Sequence, residues 1–94
     1  MIAKLRDPEA ANKAAAWIAA LGGAGNIARV DACAATRLRV VVHDNAGIDE
    51  PGLRQSGVDA VIKMPNETLH LLVGLNADQY AAEIRAQLAM PLAA

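Results

Sequence analysis

The chain has one cysteine, Cys33, in the run Asp31-Ala32-Cys33-Ala34-Ala35-Thr36-Arg37-Leu38-Arg39. That run combines a nucleophile, a hydroxyl and two cations, spaced by small residues. A lone cysteine is most often a small buried apolar residue, but its company here points to chemistry. The thiolate is the reactive form, and only ~3 per cent of an unperturbed cysteine is ionised at pH 7. Guanidinium groups nearby raise that fraction, and they also receive phosphoryl oxygens in bidentate fashion. Loop residues as small as Ala34 and Ala35 let backbone N–H groups approach an anion, and Thr36 adds a hydroxyl donor. These parts suit covalent carriage of a phosphoryl group on Cys33, with Arg37 and Arg39 neutralising its charge. Asp31 opposes a thiolate as a direct neighbour, so its expected task is to hydrogen-bond the loop backbone.

The other polar residues offer less. His43 and His70 come with no carboxylate pattern and make a poor metal site. His70 reads as a half-buried strand residue, and His43 as too far along its strand to reach a phosphoryl group. Gly22, Gly23 and Gly25 are followed by neither a dinucleotide fingerprint nor a P-loop, and read as backbone punctuation. Asp49 and Glu50 suit helix initiation. A partner meeting Cys33 would find an apolar surface of Ile27, Val30, Ala32, Ala34 and Ala35, with Arg29 and Arg54 as a cationic rim.

The elements that must hold these residues follow from spacing. A helix is predicted from Pro8 to Leu21, capped by Asp7, with Ala11, Ala14, Ile18 and Leu21 on one face and Trp17 beside them. Gly22-Gly23 ends it. Asn26 to Asp31 reads as a short extended segment. Thr36 to Val42 reads as a strand with Leu38, Val40 and Val42 facing the core and Arg37 and Arg39 on the other face. Asp49 caps a short helix through Gln55. Strands at Ala60–Met64 and Thr68–Leu75 are joined by a tight turn at Pro65-Asn66-Glu67. A last helix starts near Asn76, its expected cap, with Tyr80, Ile84 and Leu88 on one stripe. This order favours an α+β sandwich of an antiparallel sheet covered on one face by amphipathic helices.

Composition narrows the function class. The chain has 94 residues, 54% hydrophobic and 20% charged, with net charge −1. That is one domain spanning residues 1–94, too apolar for a disordered tail. One Trp, one Tyr and no Phe, without a basic excess, argue against nucleic-acid binding. No apolar run approaches the ~20 residues of a membrane span, and no export signal is evident, so membrane insertion is not expected and a cytoplasmic location is. One cysteine allows neither an internal disulfide nor a cysteine-based metal site.

Leu21-Gly22-Gly23, Asn26-Ile27, Asp31-Ala32-Cys33, Thr36-Arg37-Leu38-Arg39-Val40, Gly57, Leu72-Val73-Gly74 and Ala77-Asp78 follow one another in a familiar series. It resembles the IIB domain of the glucose/N-acetylglucosamine type of the bacterial phosphoenolpyruvate-dependent sugar phosphotransferase system, from about Ala14 to Leu88. The resemblance implies four antiparallel strands with three helices on one side. It also implies that Cys33 takes a phosphoryl group from a phosphohistidine of a IIA partner and passes it to a sugar held by a membrane IIC component, with Arg37 and Arg39 assisting. It implies no cofactor and no metal, and a place at the inner membrane through IIC.

The family pattern has one residue between the cysteine and the Thr-Arg-Leu-Arg run, where this chain has Ala34 and Ala35. The phase of Leu38, Val40 and Val42 is expected to put the extra alanine in a longer loop. Two alternatives stay open: a IIB-like regulatory or binding module that does not complete transfer to sugar, and a redox-sensing thiol, which lacks a resolving cysteine.

Overall fold

Alternating burial along Arg37-Leu38-Arg39-Val40-Val41-Val42 decides the centre of the molecule. In the computed structural model, which describes residues 5–89, this segment is an inner strand of the sheet, with Leu38, Val40 and Val42 buried. The elements run α1 (Ala10–Ala20), β1 (Ile27–Ala34), β2 (Arg37–Val42), α2 (Glu50–Gln55), β3 (Ala60–Met64), β4 (Thr68–Leu72) and α3 (Ala77–Gln87). Short 3-10 turns lie at Ala24–Asn26 and Asn45–Gly47. The strands form one antiparallel sheet in the order β1-β2-β4-β3. With the three helices this is the expected α+β architecture.

The two faces of the sheet differ as the alternation requires. Val30, Leu38, Val40, Val42, Leu69 and Leu71 join Ala14, Trp17, Leu53, Tyr80, Ala81 and Ile84 of the helices in one core. The opposite face carries Arg37, Arg39 and Val41 of β2 and Thr68, His70 and Leu72 of β4, all half-buried. β1 is an edge strand, and Arg85 of α3 covers part of it by donating through Nε to the Val30 carbonyl at 2.9 Å. A satisfied edge carbonyl is one fewer site for stray strand pairing.

Several boundaries differ from the sequence expectation, each for a local reason. α1 starts at Ala10 and buries Ala10, Ala14, Trp17 and Ala20, while Ala11 is exposed and Ile18 only half-buried. Trp17 takes the centre of the face and rotates it. Its ring meets Tyr80 edge-on, with centroids 4.9 Å apart, and its indole N–H donates to the Ser56 carbonyl at 3.0 Å. β4 stops at Leu72 rather than Leu75, because Gly74 at φ 77° turns the chain and leaves Leu75 exposed. Asp49 caps α2 as expected, accepting from the Gly52 N–H. Asn76 takes the cap position of α3 as expected, but its side chain makes no cap hydrogen bond, and its Oδ1 is buried without a hydrogen-bond partner.

Asp7 does not cap α1 either, since the cap position falls on Glu9. Its carboxylate accepts from the Glu9 N–H and pairs with Lys13, and the Tyr80 hydroxyl donates to it. Gln79 brackets the Asp7 backbone, accepting from its N–H and donating to its carbonyl, each at 2.8 Å. The start of the described chain is thereby fastened to α3. The hydrogen bond from Lys13, then those from Tyr80 and Glu9, lower the Asp7 pKa from 3.8 to about 2. A carboxyl whose folded pKa is depressed contributes stability above its unfolded pKa and loses it as pH falls through the folded one. Asp7→Asn is therefore expected to lower the urea midpoint at pH ~6, and the gap from the native chain should close between pH ~4 and ~2. A gap that stays constant with pH would show that the charge of Asp7 contributes nothing.

Candidate functional site

The β1–β2 hairpin builds the site, and the structure corrects how it does so. Ala32, Cys33 and Ala34 have weak strand propensity, so the sequence places Cys33 in a loop. Pairing with β2 overrides this and carries β1 through Ala34. Ala32 opposes Leu38, while Ala34 opposes Arg37. Cys33 is thus the extra residue of a β-bulge, and the turn between the strands is only Ala35-Thr36. The additional residue sits in the bulge and not in a longer loop, and β2 keeps the expected phase, with Leu38, Val40 and Val42 buried. Thr36, expected to open the second strand, lies in the turn. Its carbonyl accepts from the Val73 N–H at 3.0 Å, which ties the turn to the exit of β4.

Cys33 is exposed, which excludes the buried-residue reading. Its Sγ lies 3.7 Å from the Arg37 carbonyl, a weak contact that a thiol can donate to and a thiolate must give up. Ala34, Ala35 and Thr36 are exposed beside it.

The two guanidiniums are both anchored. Arg39 is gripped by Asp31 in a two-point contact, Nε to Oδ1 at 3.2 Å and Nη2 to Oδ2 at 2.7 Å. Asp31 therefore does not hydrogen-bond the loop backbone as expected; it stands opposite Arg39 in the β1–β2 register and fixes it. The hydrogen bonds of Asp31 and then its charge raise the Arg39 pKa above the ordinary guanidinium value. The grip uses one edge of the guanidinium and leaves the remaining N–H groups for another anion. Arg37 points a different way, with its Nη1 3.5 Å from His70 Nδ1.

His70 is the member that sequence reasoning set aside. It is half-buried as expected, but β4 lies between β2 and β3, and this places it opposite Arg39 and beside Arg37. His43 is exposed beyond the end of β2 and takes no part. The expected apolar partner surface shrinks as well. Ile27 and Val30 are core residues, 5% and 2% exposed, and Ala32 packs against that core, leaving Ala34 and Ala35. Arg29 is exposed opposite Val41 on the arginine face, whereas Arg54 lies on α2 in the helical layer. Among the described residues no helix is long and apolar enough to cross a membrane, and no three His, Cys, Asp or Glu side chains cluster as metal ligands would.

Comparison with known proteins bears on this arrangement. The family model for the phosphotransferase system, EIIB, matches residues 15–49, from the middle of α1 past the hairpin. The N-acetylglucosamine-specific EIIB component of Streptomyces coelicolor is 40% identical over 74 residues, covering 79% of this chain and 94% of that protein. The N-acetylglucosamine-specific EIICBA component of Klebsiella pneumoniae is 35% identical over 72 residues, 77% of this chain but 11% of that much longer protein. A crystal structure of one domain of a IIabc component of the same system from Clostridium difficile superposes with a TM-score of 0.68 at 24% identity. It covers 93% of this chain and 88% of that one, and so shares the fold. By its likeness to a relative that it matches over nearly that relative's full length, the chain belongs to the EIIB family of the phosphotransferase system.

Proposed function

We propose that residues 1–94 form a single IIB-like domain that carries a phosphoryl group for sugar uptake. The Cys33 sulfur attacks the phosphorus of a phosphohistidine on a IIA partner. An S–P bond forms as the N–P bond breaks, and the histidine leaves with the nitrogen lone pair. In the second step a sugar hydroxyl held by a membrane IIC component attacks the same phosphorus; the O–P bond forms as the S–P bond breaks, the sulfur departs as thiolate with the electron pair, and the hydroxyl proton passes to solvent. Phosphoryl transfer asks a protein mainly for positioning and charge neutralisation. Arg37 and Arg39 supply the charge, while the Thr36 hydroxyl and the backbone N–H groups around Ala34 and Ala35 supply the remaining donors. No step needs a metal or cofactor.

The observation that carries this reading is an exposed sulfur in the β1–β2 hairpin, whose second strand bears two guanidiniums, each held by a side chain of a neighbouring strand. Fixed cations need little reorganisation when charge develops, the main source of electrostatic catalysis. The bulge leaves β2 in phase, so the extra alanine lends no support to a module unable to transfer. The fusion of IIB to IIC in the Klebsiella relative supports a IIC partner and a place at the cytoplasmic side of the inner membrane. Two relatives named for N-acetylglucosamine support that sugar, selected by IIC and not by this chain.

The test is to incubate the chain with phosphoenolpyruvate, the general phosphotransferase proteins and a matching IIA, then to locate the phosphate by mass spectrometry. One phosphoryl group on Cys33 is expected. Phosphate on His43 or His70, or none at all, would overturn the assignment.

A further inference from the structure

Arg39 is held by Asp31, and Arg37 has its own holder on the other side. We propose that His70 is the positioning residue for Arg37 in phosphoryl transfer. The inference rests on the phosphocysteine reading and adds a residue to it.

The hydrogen-bond roles follow from the contact itself. A guanidinium only donates and stays charged at any working pH, so Nδ1 of His70, 3.5 Å from Nη1 of Arg37, has to be the acceptor. A side chain that offers no acceptor at this place leaves Arg37 without the contact that turns it toward β4.

The surroundings of His70 leave few competitors. On β2 it faces Arg39 directly and Arg37 diagonally, with Asp31 of β1 beyond Arg39 and already bound to it. On β3 it faces Ile62, which is apolar. Thr68 and Leu72 are its same-face neighbours on β4. The helices lie on the other side of the sheet, and Lys63 pairs there with Glu50 of α2. Arg37 is thus the charged group in contact with His70.

Two measurements decide the matter. The first is single-turnover loss of phosphate from pre-phosphorylated chain to sugar, in vesicles carrying IIC. His70→Ala should be about tenfold slower than wild type, the size of one lost hydrogen bond to a charged group. His70→Gln, which keeps a neutral acceptor, should restore most of the wild-type rate. The second is the side-chain NMR signal of Arg37 in the unphosphorylated chain. It should move in His70→Ala and return toward its wild-type position in His70→Gln. A His70→Ala rate equal to wild type, a His70→Gln rate no better than that of His70→Ala, or an Arg37 signal that ignores both substitutions would overturn the proposal. If the Arg37 signal does move but Cys33 never takes phosphate, the failure lies with the phosphocysteine reading and removes the transfer role with it.

Discussion

Cys33→Ser is expected to abolish phosphorylation by phospho-IIA while leaving the fold intact. Oxygen for sulfur preserves shape, and Cys33 is exposed on an edge strand, so the change in stability should stay within about 0.5 kcal/mol, as for other surface substitutions. Reactivity should not survive. A thiol gives up its proton within reach of neutral pH, whereas a serine hydroxyl needs an adjacent general base to become a nucleophile. Asp31 is occupied by Arg39, and His70 is in contact with Arg37, so neither is free to serve as that base. The expected loss is on the order of 10³-fold or more in the rate of label uptake, as for removal of an enzyme nucleophile. Radiolabel transfer from phosphoenolpyruvate through the general proteins and IIA measures it, with matched far-UV circular dichroism as the control for folding. Wild-type labelling of the serine variant would mean that the phosphate sits elsewhere.

The second large effect lies in the core. Trp17 is fully buried between α1, α3 and the segment after α2, stacked edge-on against Tyr80 and hydrogen-bonded to Ser56. Replacing it with alanine opens a cavity that small neighbours such as Ala10 and Ala14 cannot fill, and strands the Ser56 carbonyl. Truncation of buried Trp to Ala costs about 3–5 kcal/mol. A domain of this size holds only some 5–14 kcal/mol in total, so Trp17→Ala should lose roughly a fifth of its stability or more. Trp17→Phe, which keeps most of the buried area and loses the N–H, should cost about 1–2 kcal/mol. Urea unfolding followed by circular dichroism is the right measurement, because Trp17 is the sole tryptophan and its fluorescence vanishes with it. A Trp17→Ala midpoint equal to that of the native chain would show that the ring contributes little to the core.

What could be read beforehand divides by sequence distance. The alternation of β2 placed Leu38, Val40 and Val42 inward and the arginines outward because a period of two is a local property. Asp49 announced α2 for the same reason, since its partner Gly52 is three residues away. Cys33, Thr36, Arg37 and Arg39 were legible as a group from residue type. The grip of Asp31 on Arg39 was not, because it depends on the register of the hairpin, and the bulge at Cys33 alters that register. A count folding the strands about Ala35-Thr36 with one bulge would have found it. His70 needed more, namely that β4 and not β3 sits beside β2. Strand order comes from how the helices pack across the sheet, and no short window of sequence contains it. Trp17 rotated the face of α1 because its volume outweighed the tidier spacing of Ala11 and Ile18.

The bulge sits on a strand with a neighbour on one side only. An added residue there disturbs a single ladder, the one with β2, while the same addition in β2 or β4 would break two and turn a row of core leucines and valines outward. The outermost strand can therefore absorb length changes next to the Cys33 sulfur without cost to the interior. It follows that the count of residues between that sulfur and the arginine-bearing strand is free to drift among relatives, whereas the alternation within the arginine-bearing strand is not. A search for kindred chains that insists on a fixed gap will miss members that one keyed to the alternation retains.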